Sequence, residues 1–306
     1  MNVLQQLQAM TDIVADTGNI DDIQRLNPMD ATTNPSLVLK AIQSGSYDQT
    51  IQDLCKEFTN VSDITNALLV KIGSGIVDTI SGLVSTEVDA RFSYDTQKTI
   101  DHALTIIELY KQAGIDSKRI LIKVAATWEG IQAAKALEAK GIHCNVTLMF
   151  CEGQAFAAAD ANAFLVSPFV GRITDWYQAQ GQKIENGIND PGVLSVKSIY
   201  ENFKAQGINT IVMGASFRNS GQIIQLAGCD KLTISPALLD ELADTELNIE
   251  RKLNAGASQT RQAELSKAQF DEAMKNNPMA TEKLAQGVEG FINDQIKLET
   301  LIQAFG

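Results

Sequence analysis

Eight short apolar runs, separated by stretches whose apolar residues recur at helical spacing, constrain the fold of this chain more than any other feature. They fall at 12–16, 29–33, 83–88, 119–124, 142–147, 163–167, 209–214 and 231–235. Helical patterns occupy 35–58, 62–80, 97–113, 127–140, 152–160, 193–206 and 219–226. A short helix opened by Pro236 follows the last run, and two longer patterns lie near 261–276 and 281–303. Such alternation is the signature of βα units around a parallel sheet. Eight of them favour a closed (β/α)8 TIM barrel over an open sheet. No low-complexity segment, long Pro/Gly linker or charge block divides the 306 residues. One barrel domain over 1–306, with a helical extension from about 250 to 306, is therefore expected.

Within that frame one residue stands out. Lys123 interrupts the run Ile120-Leu121-Ile122-Lys123-Val124-Ala125-Ala126, where a strand buried on both faces is expected. Taking an ammonium out of water costs several kcal/mol unless it is paired or loses its proton. The chemical use for such an environment is a neutral amine that attacks a carbonyl and forms a Schiff base. An unperturbed lysine is neutral at pH 7 in only roughly one molecule in a few thousand, so the surroundings must favour the amine. Lys71 is the control. Its neighbours Ile64, Leu68, Leu69, Ile72 and Ile76 trace a helical face with Lys71 at its flank, so a solvated helix residue is expected there.

Composition narrows the functions available. A net charge of −12 argues against a nucleic-acid partner, and no apolar run approaches a membrane span. The N-terminal residues lack a basic region followed by an apolar stretch, so no signal peptide is expected. Cys55, Cys144, Cys151 and Cys229 are scattered without a C-x-x-C pair and read as reduced, cytosolic thiols. There are two histidines, His102 and His143, too few for a ready histidine triad or zinc site. Acid–base chemistry then falls to carboxylates. His102, in a helical segment, is expected at the surface.

In a barrel of this kind the active site lies at the C-terminal ends of the strands. Reading those ends in order gives Asp16, then Thr32 and Asn34, Glu87, Lys123, Asn145 and Thr147, Ser167, Ser216 and Arg218, and more weakly Ser235. One lysine, two carboxylates and a ring of hydrogen-bonding groups converge on one mouth.

These residues sit in motifs that resemble the transaldolase family: V-A-D-T-G at 14–18, D-A-T-T-N-P-S at 30–36, S-T-E-V-D-A-R at 85–91, I-L-I-K at 120–123, C-N-V-T-L at 144–148, S-P-F-V-G-R at 167–172 and G-A-S-F-R-N at 214–219. The resemblance runs from about residue 10 to Leu253, and points to the larger pentose-phosphate-pathway type rather than the short fructose-6-phosphate aldolase type. It implies that Lys123 forms an imine with a ketose phosphate. Glu87, through a water held by Thr147, shuttles protons at C2, and Asp16 takes the C4 hydroxyl proton as C3–C4 breaks. Thr32, Asn34, Asn145 and Ser167 are implied substrate-binding residues, and Arg172, Ser216 and Arg218 hold the distal phosphate. The resemblance further implies sugar phosphates as partners, no metal or organic cofactor, a cytoplasmic enzyme and a homodimer.

Each residue alone also has a plainer reading. Lys123 could pair statically with Glu87 or Asp16, and Asp16 could be a turn residue before Thr17-Gly18. Thr33 reads as part of a helix cap, Asp89 as a partner of Arg91, and Trp128 and Trp176 as packing. Arg172 and Arg218 could be surface ion-pair partners. Phe169 fits a wall beside the sugar or the core. Cys144 and Cys151 have no evident histidine base. His143, two residues before Asn145, shares its orientation only if the strand is regular and starts that early. Cys151 and Ala126 depart from the small polar residue and the serine expected of the family. An aldolase releasing free dihydroxyacetone and a sugar-phosphate-binding barrel without turnover are the competing functions.

Overall fold

A computed structural model describes residues 1–185 and 187–305. The eight apolar runs form eight parallel strands closed into one barrel in chain order, with the last pairing to the first. They are β1 (Asp12–Asp16), β2 (Asp30–Thr32), β3 (Val84–Glu87), β4 (Ile120–Ala125), β5 (Cys144–Met149), β6 (Leu165–Pro168), β7 (Ile211–Gly214) and β8 (Lys231–Ile234). Around them lie α1 (Val3–Gln8), α2 (Ile20–Leu26), α3 (Pro35–Gln43), α4 (Asp48–Glu57), α5 (Val61–Thr79), α6 (Thr96–Gln112) and α7 (Trp128–Glu138). The second half adds α8 (Glu152–Asp160), α9 (Gly171–Ala179), α10 (Pro191–Ala205), α11 (Ser220–Ile224), α12 (Pro236–Asp244), α13 (Lys267–Lys275) and α14 (Pro278–Gln303).

Strands buried on both faces need apolar residues on both. Outward-facing Ile120, Ile122, Val124, Val146, Val166, Val212 and Leu232 pack under the helices, all fully or almost fully buried. Inside the barrel, Val14, Leu121, Leu165 and Met213 form a separate apolar plug. Below it, at the N-terminal ends of the strands, Lys231 Nζ lies 2.7 Å from Asp30 Oδ2 and 3.1 Å from Asp12 Oδ2. Above it the interior turns polar.

Helix starts follow local chemistry. Asn34 caps α3, its side-chain oxygen accepting from the Leu37 N–H at 3.0 Å, and Pro35 occupies the first turn where no N–H is needed. Asp190 caps α10 in the same way, again followed by a proline.

Several expectations change. The 35–58 pattern is two helices, because Gly45 takes φ +81° and turns the chain between α3 and α4. Helices α1, α2 and α9 were not anticipated; each is short, six to nine residues, and offers little periodicity. β5 begins at Cys144, so His143 precedes it and bonds Glu138 Oε2 at 2.9 Å. The histidine expected at the surface is bound on both ring nitrogens. His102 Nδ1 accepts from the Asp89 N–H at 3.1 Å, and Nε2 pairs with Asn66 Oδ1 at 2.9 Å. Thr33 is not a helix cap: its hydroxyl donates to the Ser85 carbonyl at 3.0 Å. Lys71 is exposed on α5, as its flank position implied, and no helix among the described residues is long and apolar enough to cross a membrane.

The helices after β8 do more than pack outside. Residues between α12 and α13 carry no regular structure and run over the N-terminal side, where the Leu253 N–H donates to Ala227 O and Arg261 pairs with Asp160. α14 then crosses the opposite end, touching α3, α5, α9 and β5.

Candidate active site

The polar end of the barrel is set by strand register. Glu87 on β3 is the register partner of Lys123 on β4, and Lys123 in turn of Asn145 on β5. On β1 and β2, Asp16 stands opposite Thr32. Because side chains alternate along a strand, these partners all face inward.

Lys123 is 5% exposed. Its Nζ donates to the Thr33 carbonyl at 3.0 Å and lies 3.4 Å from Glu87 Oε2. That carboxylate oxygen makes no directed hydrogen bond, and neither does the buried Thr147 hydroxyl. Asp16 Oδ1 accepts from Thr32 Oγ1 at 2.8 Å; Thr32 is in turn 2.7 Å from Thr233 Oγ1, which must be the donor of that second bond. Ser167 donates to Asn145 Oδ1 at 2.6 Å, and Asn145 Nδ2 donates to Ser85 Oγ at 3.1 Å. The upper interior is thus a network of matched donors and acceptors with two loose ends, Glu87 and Thr147.

Electrostatics follow from burial. It pushes the Asp16 carboxyl above its ordinary range, against the opposing pull of Lys123, Thr32 and Arg172. Glu87 is raised by the same cause, against Lys123 and Arg172, with the nearby Asp16 charge adding to the rise. Both carboxyl groups are therefore brought closer to neutral pH, where a proton carrier is useful. The thiols of Cys144 and Cys151 are raised by burial, which removes nucleophilic character.

A cavity of about 170 Å³ opens above this network. Eleven of the sequence-predicted residues line it: Asp16, Thr32, Asn34, Lys123, Thr147, Ser167, Phe169, Arg172, Ser216, Arg218 and the weaker candidate Ser235. Glu87 and Asn145 are buried behind its wall. Asn34 has its oxygen committed to the α3 cap, which leaves its amide N–H groups for the cavity. Phe169 serves both expected roles, packing edge-on against Phe150 and lining the cavity.

The loops that carry the arginines are tightly built. The Gly171 N–H donates to the Ser216 carbonyl at 2.6 Å, and a Cβ at Gly171 would stand 2.4 Å from that oxygen. Ser216 itself is left-handed at φ +63°. Leu148, at φ +53°, marks the break in register between β5 and β6 just beyond Thr147. Left-handed backbone is costly for a branched side chain and gathers at functional sites. Arg218, 43% exposed, pairs with Asp175 at 2.7 Å, so the ion-pair reading holds for it alongside its place in the wall. Asp89 pairs with Arg91, which also reaches Glu299 on α14.

Sequence reasoning missed Thr233, Phe217 and Phe291 in the wall. Thr233 is an ordinary strand former by type, and Phe217 lies unremarked inside G-A-S-F-R. Phe291 belongs to α14, whose buried stripe Leu284, Val288, Phe291, Leu298 reads as ordinary packing.

A larger groove of about 570 Å³ lies at the other end, between Glu138, His143, Phe164 and Arg261. Two of its carboxylates are consumed: Glu138 accepts from the Cys144 and Phe164 N–H groups, and Asp160 holds Arg261 and the Leu265 N–H, which leaves the exposed Glu264. Of the two, the smaller cavity is the one that combines a buried amine, a carboxyl group and two arginines.

Residues 13–302 match the family described as transaldolase/fructose-6-phosphate aldolase. Curated relatives named transaldolase include one from Shewanella baltica (strain OS223), 50% identical over 99% of this chain and 98% of its own. Others come from Pseudoalteromonas atlantica (strain T6c / ATCC BAA-1087), 50% identical over 99% of each chain, and Shewanella frigidimarina (strain NCIMB 400), 51% identical over 99% and 98%.

Proposed function

Because the chain belongs to the transaldolase/fructose-6-phosphate aldolase family, we propose that it carries a dihydroxyacetone unit on Lys123 from a ketose phosphate to an aldose phosphate. It is an enzyme, a transferase of the transaldolase type. The reaction in this reading converts sedoheptulose 7-phosphate and glyceraldehyde 3-phosphate into erythrose 4-phosphate and fructose 6-phosphate, as in the pentose phosphate pathway. The observation that carries it is the register pairing of Lys123 with Glu87, 3.4 Å apart and buried, beneath a cavity that also holds Asp16 and two arginines.

The amine attacks the C2 carbonyl, and loss of water gives an imine. Protons for that step pass through Glu87. Its Oε2 and the Thr147 hydroxyl are both buried without a directed bond, as two groups that share a water would be. Asp16 then takes the C4 hydroxyl proton while the C3–C4 electrons move into the protonated imine. The aldose phosphate leaves, and the enamine on Lys123 adds to a second aldehyde. No metal or organic cofactor enters this scheme. Asn34, Asn145, Ser167 and Thr32 hold the three-carbon unit directly or through one another. Arg172, Ser216 and Arg218 bind the distal phosphate, since guanidinium forks suit its oxygens and supply local positive charge in a chain of net −12.

Borohydride trapping with fructose 6-phosphate, followed by peptide mass mapping, tests this reading. A reduced three-carbon adduct on Lys123, drained by an added acceptor aldehyde before reduction, is the expected result. No adduct on a folded sample overturns the Schiff base. An adduct that acceptors do not drain favours an aldolase that releases dihydroxyacetone. The single-domain, cytoplasmic and homodimeric parts of the reading rest on the family; light scattering on the purified chain tests the last.

A further inference from the structure

The two arginines of the cavity are prepared in different ways. Arg218 brings its own counterion, Asp175. Arg172 makes no salt bridge or hydrogen bond among the described residues; its guanidinium lies instead within reach of two aromatic rings. Its Cζ is 5.0 Å from the Phe169 centroid and 5.5 Å from that of Phe291. Phe169 comes from the end of β6, in the same short segment as Arg172. Phe291 comes from α14, added after every strand of the barrel.

That helix reaches the arginine because position 287 is glycine. A Cβ there would stand 3.1 Å from Arg172 Nη1 and 2.7 Å from Leu148 Cδ2. Phe291, one helical turn further on, then brings its ring centroid to 5.5 Å from the guanidinium carbon and lines the cavity. Two rings within cation–π reach hold the guanidinium without using its N–H donors, which stay free in its plane for phosphate oxygens to accept. Arg218 carries a second positive charge close enough to oppose that of Arg172, and Glu87, Asp16 and Asp175 face it from the other sides.

We infer that Phe291 is a positioning residue for phosphate: with Phe169 it clamps the unpaired Arg172 and so sets the preference for phosphorylated over unphosphorylated ketose donors. The inference rests on the proposed role of Arg172 and assigns selectivity to a helix outside the eight βα units.

Phe291→Leu and Phe291→Met remove the ring while keeping apolar volume; Phe291→Tyr keeps the ring. For each, kcat/KM is measured with fructose 6-phosphate and with unphosphorylated fructose, and inorganic phosphate is titrated as a competing ligand. A cation–π contact spans roughly 0.5–2 kcal/mol. Phe291→Leu should therefore lower the ratio of the two kcat/KM values, and weaken phosphate inhibition, by about 2- to 30-fold, and Phe291→Tyr should restore both. Equal losses on the two donors, or an unaltered phosphate inhibition constant, overturn the clamp. If Phe291→Leu does not fold, Phe291→Met answers the same question. Failure of the Schiff base is separable, because it shows as missing borohydride adduct in the unaltered protein. Phosphate titration monitored by calorimetry still decides the clamp in that case.

Discussion

Two lysines are buried inside this barrel, one near each end, and each faces carboxylates. At the N-terminal end Lys231 is pinned between Asp30 at 2.7 Å and Asp12 at 3.1 Å, and Asp30 also accepts the Leu83 N–H. Burial acts to lower the pKa of that lysine, but its bonds to the two aspartates win and raise it. At the C-terminal end Lys123 meets Glu87 at 3.4 Å, through an oxygen with no directed hydrogen bond, beside a threonine hydroxyl equally without one. A lysine that serves stability is fully satisfied by its neighbours. Lys123 is held in looser company: one carbonyl at 3.0 Å and one carboxylate at 3.4 Å, where Lys231 has two close aspartates.

Substitution should separate the two sharply. Lys123→Met is expected to lower transfer by about 10⁴-fold or more, because no other group supplies the nucleophile; steady-state assay and loss of the borohydride adduct read it. Asp16→Asn should lower turnover by about 10²- to 10⁴-fold, the usual worth of a general base. Its stability effect has the opposite sign. The raised pKa of Asp16 means that the folded protein retains a proton the unfolded chain releases. Asp16 thus contributes its full stability only below the ordinary carboxylate range, and that contribution is lost as pH rises through its folded-state value. Thermal melts should find Asp16→Asn at or above the unaltered protein at pH 8, with the advantage vanishing toward pH 4. A variant that melts lower at pH 8 would contradict that assignment.

At the other end, Lys231→Met leaves Asp30 buried and unpaired, and urea denaturation should show about 3 kcal/mol lost. Activity per folded molecule should stay within a few-fold. If it falls as far as that of Lys123→Met, the two ends are not chemically distinct and the contrast fails. The smallest effect is expected from Thr147→Val, about 10-fold in turnover, the equivalent of one hydrogen bond to a positioned water.

Much of this was legible in the sequence because barrel strands announce themselves through near-continuous apolar runs, and a lysine inside one is conspicuous. All eight strands lie where the runs placed them, and the polar residues at their ends meet at one mouth. Lys231 escaped notice for a positional reason: it is the first residue of its strand, where a charge looks like the end of the run rather than an interruption. The 35–58 pattern misled because apolar spacing survives the turn at Gly45. Phe291 could not be placed at all. Helical periodicity shows which face of α14 is buried but not against what, and its neighbours Leu148 and Arg172 are distant in sequence.

The position of α14 also bears on the making of the protein. Chains emerge from the ribosome N-terminus first, so all eight strands, including the β1 and β8 that close the barrel, are synthesised before any residue of α14. The chain at that stage already contains Lys123, Glu87 and Asp16, and still lacks the part of the wall that Phe291 supplies. In order of synthesis, every wall residue from the strands and their loops thus precedes Phe291, which the longest helix brings last.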